Sequence, residues 1–125
     1  MLKTMLKSTI AFLFLLSVAV SANERFGGIG LSVAQLFDPL SETKNGELVV
    51  LDVVPGTDAQ VKGIQRGDVI TKIDQVNTAG ADFGTLVTNN LRGAVGSESV
   101  LEIRRAGTSD IITVTVTRVE IKYPG

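Results

Sequence analysis

Short apolar segments separated by glycine-containing turns most restrict the fold of this chain. The 125 residues include 13 glycines, and apolar residues between them either alternate with polar ones or form short runs. Both patterns predict β-strands. The expected strands are residues 29–37, 48–54, 69–73, 99–105 and 111–121, with a sixth short strand at Val76. The alternation in the last segment breaks near Arg118, which predicts a β-bulge.

Two segments between these strands predict helices. Thr57 or Asp58 can cap a short helix over residues 59–62, because both side chains can accept a hydrogen bond from the first turn. Asp82 can cap a longer helix that runs to residue 92. Five to six strands with two helices predict a single α+β domain.

The N-terminal segment has the layout of a secretory signal peptide. Lys3 and Lys7 precede a mostly apolar run, and small residues end it at Ala22. This predicts a signal peptide over residues 1–22 and a periplasmic or secreted protein. A retained membrane anchor is the alternative, but the run is shorter than the roughly 20 residues that span a bilayer. We therefore expect no stable membrane insertion after cleavage.

The composition excludes several kinds of chemistry. The chain has no histidine and no cysteine, so Ser-His-Asp and Cys-His catalysis, disulfides and zinc sites built on these residues are excluded. We expect no metal and no cofactor. Cleavage of the predicted signal peptide would remove Lys3 and Lys7 and leave an acidic domain with few aromatic residues. This composition argues against nucleic acid as a partner. A Ser-Lys hydrolase using Ser32 or Ser97 is the enzymatic alternative that survives.

A glycine-rich stretch opens the expected domain at residues 26–31, with the sequence Phe-Gly-Gly-Ile-Gly-Leu. A dinucleotide-binding turn would need a third glycine where Val33 stands and a helix where a strand is expected. A loop of inward-facing backbone amides would instead form an anion-binding nest beside a strand edge. A flexible glycine segment is the other interpretation, and these residues alone do not decide between them.

The remaining motifs show a resemblance to a known family. Residues 28–31 resemble the carboxylate-binding loop of PDZ domains, in which glycines alternate with apolar residues. Residues 53–70, with Pro-Gly-Thr-Asp-Ala and then Gly-Asp-Val-Ile, resemble the bacterial PDZ signature. Residues 91–105 and 117–121 are similar to the end of PDZ modules in carboxy-terminal-processing proteases. Gln75 departs from the pattern, because glycine usually stands there. The resemblance covers residues 26–121, which are identified as a PDZ domain.

This resemblance implies a PDZ-like small, partly open β-barrel or sandwich and a binding mode. The C-terminus of a ligand would add a strand between residues 29–33 and the 82–92 helix, with its carboxylate held by backbone amides. The helix register implied by the family directs Phe83 and Val87 more towards the core, with Gly84, Thr88 and Leu91 lining the groove. The candidate peptide-binding residues are Gly28, Ile29, Gly30, Leu31, Ser32, Val33, Gly84, Val87, Thr88 and Leu91.

Two charged residues need separate interpretations. Arg25 lies near the place where many PDZ domains carry a basic residue, and we favour a solvated role for it over a role in the site. Asp68 is expected to hold backbone amides in a turn, without a catalytic role.

The resemblance implies a module that binds protein or peptide C-termini, and the signal-peptide pattern predicts that it is exported. Because the chain lacks histidine and cysteine, we expect it not to be an enzyme. A separate periplasmic protease is a candidate partner, for which the domain would act as adaptor or regulator. The alternative is a PDZ-fold interaction or self-association domain that does not use the carboxylate loop.

Overall fold

The computed structural model describes residues 26–120, so the predicted signal peptide and Arg25 lie outside the described part of the chain. Helix α1 is Asp58–Val61, and α2 is Phe83–Leu86, which continues as a π-helical turn over Val87–Leu91. Nine strands lie within these residues: β1 Phe26–Gly28, β2 Leu31–Phe37, β3 Asn45–Val53, β4 Val69–Ile73, β5 Val76–Asn77, β6 Gly93–Ala94, β7 Glu98–Arg104, β8 Ile111–Thr117 and β9 Val119–Glu120.

Six strands form the larger sheet, in the order β2-β3-β4-β7-β8, with β5 paired to β4. Leu48 pairs with Ile70, which pairs with Ile103, so these three side chains lie side by side on one face. All three are fully buried, together with Ala59 of α1 and Leu86 of α2. The α+β expectation with two helices is confirmed, and the sheets are open and do not close into a barrel. No helix within residues 26–120 is long and apolar enough to cross a bilayer.

A smaller sheet of three short strands, in the order β6-β1-β9, accounts for two differences from the sequence-based expectation. The strand expected from residue 29 begins at Leu31 instead, and it is preceded by a separate short strand that was not expected, β1, which ends at Gly28. The strand expected to end at residue 121 is divided. The interruption at Arg118 is not a β-bulge but the point where the chain leaves β8 and joins the smaller sheet as β9.

The tight turn between β4 and β5 contains Asp74 and Gln75, both with positive φ, at 48° and 71°. Ile73 pairs with Val76 across it, so this is a two-residue hairpin whose central residues must both be left-handed. Asp74 suits this conformation, and its Oδ1 accepts a hydrogen bond from the Val100 N–H at 2.7 Å. Within residues 26–120 the Gln75 side chain makes no comparable hydrogen bond. Gln75 also occupies the position where glycine has the lowest conformational cost.

Replacing Gln75 with glycine is therefore expected to stabilise the domain. A left-handed conformation costs a non-glycine residue about 1–2 kcal/mol, and glycine loses part of that gain through its greater freedom in the unfolded chain. We expect the free energy of unfolding to rise by about 0.5–1 kcal/mol, measured by urea denaturation.

Gln65→Gly is the matched control, because Gln65 is also exposed but does not have positive φ. It should lower the free energy of unfolding by a similar amount. Equal shifts in the two variants would contradict the role assigned to the turn.

Candidate functional site

A groove of about 400 Å³ lies between β2 and the helical segment that begins with α2. It brings together most of the predicted site residues, namely 28–33, Val87 and Leu91. Gly27, Val54 and Arg92 also line it and were not among the predicted residues. Val54 follows β3, and Arg92 directly follows the π-helical turn.

The helical wall of the groove, which is formed by residues 83–91, differs from the helix face that the sequence predicted. Gly84 and Thr88 are exposed and do not line the groove. Phe83, expected to point towards the core, retains 37% of its exposure, whereas the Leu86 side chain is 1% exposed. Leu91 lines the groove as expected, but its side chain is also buried within the core cluster.

A π-helical turn changes the periodicity of the helical segment after Leu86, whereas Phe83 and Gly84 lie before it in α2. The Arg92 N–H donates to the Val87 carbonyl, five residues back, at 2.9 Å. A π-turn contains more residues than an α-turn, so the 100° rotation per residue on which the expectation depended does not hold beyond Leu86. Leu86 and Leu91 are consequently both buried, and Val87 contributes to both the core and the groove.

The glycine-rich loop at one end of the groove rests against Thr57. Gly30 has φ +80°, and a Cβ atom there would lie 2.5 Å from the Thr57 Cγ2 atom. The Gly30 carbonyl accepts a hydrogen bond from the Val54 N–H at 2.9 Å, and the Thr57 hydroxyl donates to the Val54 carbonyl at 2.7 Å. Thr57 precedes α1 without capping it through its side chain, and supports the loop instead.

The edge of β2 that faces the groove offers main-chain hydrogen-bonding groups. Leu31 is opposite Val53, and the Val54 N–H donates to the Gly30 carbonyl. In an antiparallel pair this places Leu31 at a position not hydrogen-bonded to the partner, so its N–H and C=O point away from β3. No strand within residues 26–120 pairs with β2 on that side. An extended peptide can therefore add to this edge.

The guanidinium of Arg118 attaches the end of the helical wall to the sheet. It is only 7% exposed and donates to the carbonyls of Asn90, Leu91 and Glu98 at 2.6, 3.1 and 2.9 Å. Gly93 packs directly against it, since a Cβ atom there would lie 2.8 Å from the Arg118 Nε atom. Arg118 thus satisfies carbonyls at the end of the π-turn and fixes that end of the wall.

The other end of the helical wall is held by Gln35 of β2. Its side-chain amide donates to the Ala81 carbonyl at 2.7 Å and to the Gly46 carbonyl at 3.2 Å. The Thr43 hydroxyl donates to the Gly80 carbonyl at 3.1 Å. The segment before α2 is therefore tied to the β2–β3 pair, and the width of the groove is fixed at both ends.

Asp68 holds a turn, as expected, and it does not line the groove. Its buried carboxylate accepts from the Gln65 N–H at 2.8 Å and from both Nε and Nη2 of Arg105, at 3.1 and 3.0 Å. The hydrogen bond with Asp68 raises the pKa of Arg105. The same guanidinium donates to the Gly63 carbonyl, so this contact ties the end of β7 to the chain after α1.

Within residues 26–120, neither of the serines considered as nucleophiles is paired with a lysine. Ser97 Oγ accepts from Arg118 Nη1 at 3.1 Å, and Ser32 is exposed on β2. No hydrogen bond within the described residues joins either serine to a lysine. In the same part of the chain no group of carboxylates is arranged to hold a metal ion.

Comparison with known proteins gives the family. The sequence matches the family model for the PDZ domain over residues 27–116, and the chain belongs to the PDZ domain family. It is 31% identical over 86 residues to the carboxy-terminal processing protease CtpA of Bacillus subtilis, covering 69% of this chain and 16% of that protein. It is 30% identical over 105 residues to the carboxyl-terminal-processing protease of Picosynechococcus, and this match covers 82% of this chain and 23% of that protein.

A solved structure shows the same fold. The PDZ domain of the carboxy-terminal protease from Vibrio cholerae, determined in complex with a peptide, matches with a TM-score of 0.61 at 21% identity. The match covers 78% of this chain and 98% of that domain. The two curated relatives are much longer, and the chain spans less than a quarter of the length of either.

The contact between Gly30 and Thr57 predicts an unusual cost for a single methyl group. Gly30→Ala should lower the free energy of unfolding through both the positive φ and the clash with Thr57, by about 2–4 kcal/mol in total. Urea denaturation measures this loss.

Gly56→Ala separates the two contributions. Gly56 has nearly the same φ, +82°, but no atom lies within 4 Å of its Cβ position. Gly56→Ala should lower the free energy of unfolding by only about 1–2 kcal/mol. If the two alanine variants lose the same stability, the loop does not depend on its contact with Thr57.

Removing the Arg118 guanidinium should loosen the helical wall. Arg118→Met leaves the Asn90, Leu91 and Glu98 carbonyls without their donor, and buried polar groups without partners cost about 1–3 kcal/mol each. We expect the free energy of unfolding to fall by about 3 kcal/mol. Relative to the wild type, amide hydrogen exchange should accelerate more in residues 87–92 than in β7.

Arg66→Met is the control, because Arg66 is exposed and does not line the groove. It should change stability by less than about 0.5 kcal/mol. Uniformly faster exchange throughout the Arg118 variant would show a general loss of stability and contradict the positioning role.

Proposed function

We propose that this protein captures the carboxyl-terminal segments of other proteins by adding them as a strand to β2. The observation that carries the proposal is the edge of β2 at Leu31, which pairs with no strand of residues 26–120 on that side and lies in one groove with the glycine-rich loop. In this mode, main-chain hydrogen bonds supply affinity, and pockets for alternate side chains supply specificity. The solved Vibrio cholerae relative with its bound peptide supports this choice.

The glycine-rich end of the groove suits the terminal carboxylate of the ligand. Backbone amides of residues 29–31 form the proposed nest, and glycine at position 30 allows the loop to turn. Arg92 lines the same groove and provides a positive charge, the role for which the sequence suggested only Arg25. Val87, Leu91 and Val54 provide apolar surface for the last ligand side chain.

The biological setting is part of the proposal. The pattern of the first 22 residues supports export, so the domain would act in the periplasm or outside the cell. The relatives are proteases that process carboxyl termini, which supports a role as adaptor or regulator of a separate protease. We assign no catalytic step to this chain, because the groove contains main-chain groups, apolar side chains, Ser32 and Arg92, without a partner base for the serine.

Self-association is the second candidate, and one observation favours it. Phe37 and Leu40, at and just after the end of β2, are 74% and 96% exposed, and Leu36 beside them is also exposed. Contiguous exposed apolar side chains indicate a contact surface for protein. Analytical ultracentrifugation of the wild type and of Phe37→Ser distinguishes this surface from the groove, because peptide binding should survive the substitution.

The proposed function predicts that binding depends on a free carboxylate. A peptide with an apolar last residue should bind with a dissociation constant in the roughly micromolar range, and its C-terminal amide should bind at least tenfold more weakly. Arg92→Gln should weaken binding of the acid about three- to tenfold and affect the amide less. Isothermal titration calorimetry of both peptides against both proteins measures these four affinities.

Arg66→Gln makes the same change at an exposed position outside the groove and should leave all affinities unchanged. Equal affinities for acid and amide would contradict the carboxylate nest. Equal losses for acid and amide in the Arg92 variant would contradict the role of its charge.

A further inference from the structure

We propose that the Asp52 carboxylate selects a lysine or arginine as the penultimate residue of the captured segment. Asp52 does not line the groove, but it lies one strand away from it on the exposed face of the β2–β3 pair. This inference rests on the proposed function and adds a sequence preference to it.

The register of β2 and β3 places Asp52 next to the groove. Asp52 is directly opposite Ser32, a groove residue, and both are exposed. Side chains of directly opposite residues share one face of a sheet. The register shifts after Ser32, and the next residue, Val33, pairs with Val50. Leu51 and Asp52 consequently both lie on the exposed face. The core face carries Val50 instead.

The main chain of Leu31 determines which ligand residue shares this face. Its outward C=O is positioned to accept the N–H of the last ligand residue when the carboxylate lies at the glycine-rich loop. In an antiparallel arrangement the penultimate ligand residue is then opposite Ser32. Since neighbouring side chains on a strand alternate between faces, the last side chain enters the groove and the penultimate one lies beside Ser32.

The distance from this ligand residue to Asp52 suits a long basic side chain. The main chain of the penultimate ligand residue and that of Asp52 are two strand spacings apart, about 9.5 Å. An extended lysine or arginine side chain, together with the aspartate side chain, can bridge this distance. Ser32, which lies between them, has a small side chain over which a basic residue can extend. A glutamate in the ligand would instead place a second negative charge on the same face.

Asp52 has no ion-pair partner within residues 26–120. The neighbouring pairs on the sheet are Arg104 with Glu47, at 2.7 Å, and Lys72 with Glu102, at 3.7 Å, and neither includes it. Asp52 Oδ1 accepts a hydrogen bond from the Val53 N–H at 2.9 Å, which holds the carboxylate on the strand. A basic ligand residue would therefore form an ion pair without breaking an existing one.

The test compares three peptides that differ only in the penultimate residue, which is lysine, alanine or glutamate. The wild type should bind the lysine peptide about two- to fivefold more tightly than the alanine peptide, and the glutamate peptide more weakly than either. Asp52→Asn keeps the oxygen that accepts from Val53 and should remove most of this preference. Asp52→Lys should reverse it. Raising the salt concentration should reduce the wild-type preference.

Asp110→Asn is the matched control, because Asp110 is exposed and lies just before β8, at the opposite edge of the sheet. It should leave the preference intact. The inference is overturned if Asp52→Asn retains the wild-type preference, or if Asp110→Asn reduces it equally, which would indicate overall charge alone. Carboxylate-dependent binding without a charge preference overturns this inference and leaves the proposed function standing. The absence of binding to any of the peptides overturns both.

Discussion

The guanidinium of Arg118 is the contact on which the geometry of the groove most depends. The main chain leaves β8 at Thr117, and the Arg118 side chain turns inward to the carbonyls that end the π-helical turn. The Asp74 carboxylate lies 4.0 Å from the same guanidinium. One buried cation therefore connects the last long strand, the β4–β5 turn and the helical wall. A buried arginine is tolerated because carbonyl and hydroxyl oxygens compensate for its lost hydration.

Rigid support of the loop has a direct consequence for binding. Gly30 is held against Thr57, and Gln35 and Arg118 fix the two ends of the helical wall. A ligand strand of the proposed kind would then meet an edge that is already extended, so little of the interaction energy would be spent on ordering the protein. Under the proposed function, a short groove with few polar side chains would therefore be sufficient for a weak, specific contact with a peptide.

The sequence predicted strands and turns better than it predicted the site. Residues 69–73 form a strand with the expected bounds, and Asp82 caps α2 as expected by accepting from the Thr85 N–H at 3.0 Å. These features depend on local patterns. On the helical wall Val87 and Leu91 line the groove as predicted and Gly84 and Thr88 do not. The α-helical periodicity used for the prediction does not extend through the π-turn after Leu86. Arg92 and Arg118 were not assigned their places, because a basic residue in a sequence does not indicate whether it is buried or which carbonyls it meets.

The smaller sheet joins the two walls of the groove at its glycine-rich end. β1 leads directly into the glycine-rich loop, and β6 directly follows the helical wall and Arg92. These strands pair through Gly27 and Gly93, and a Cβ atom at Gly27 would lie only 2.9 Å from the Gly93 carbonyl. Both walls of the groove are thus joined by one close main-chain contact. Widening this end of the groove would break the pairing. Under the proposed function we therefore expect selection between ligands to come from side chains at the rim and not from a change in the shape of the glycine-rich loop.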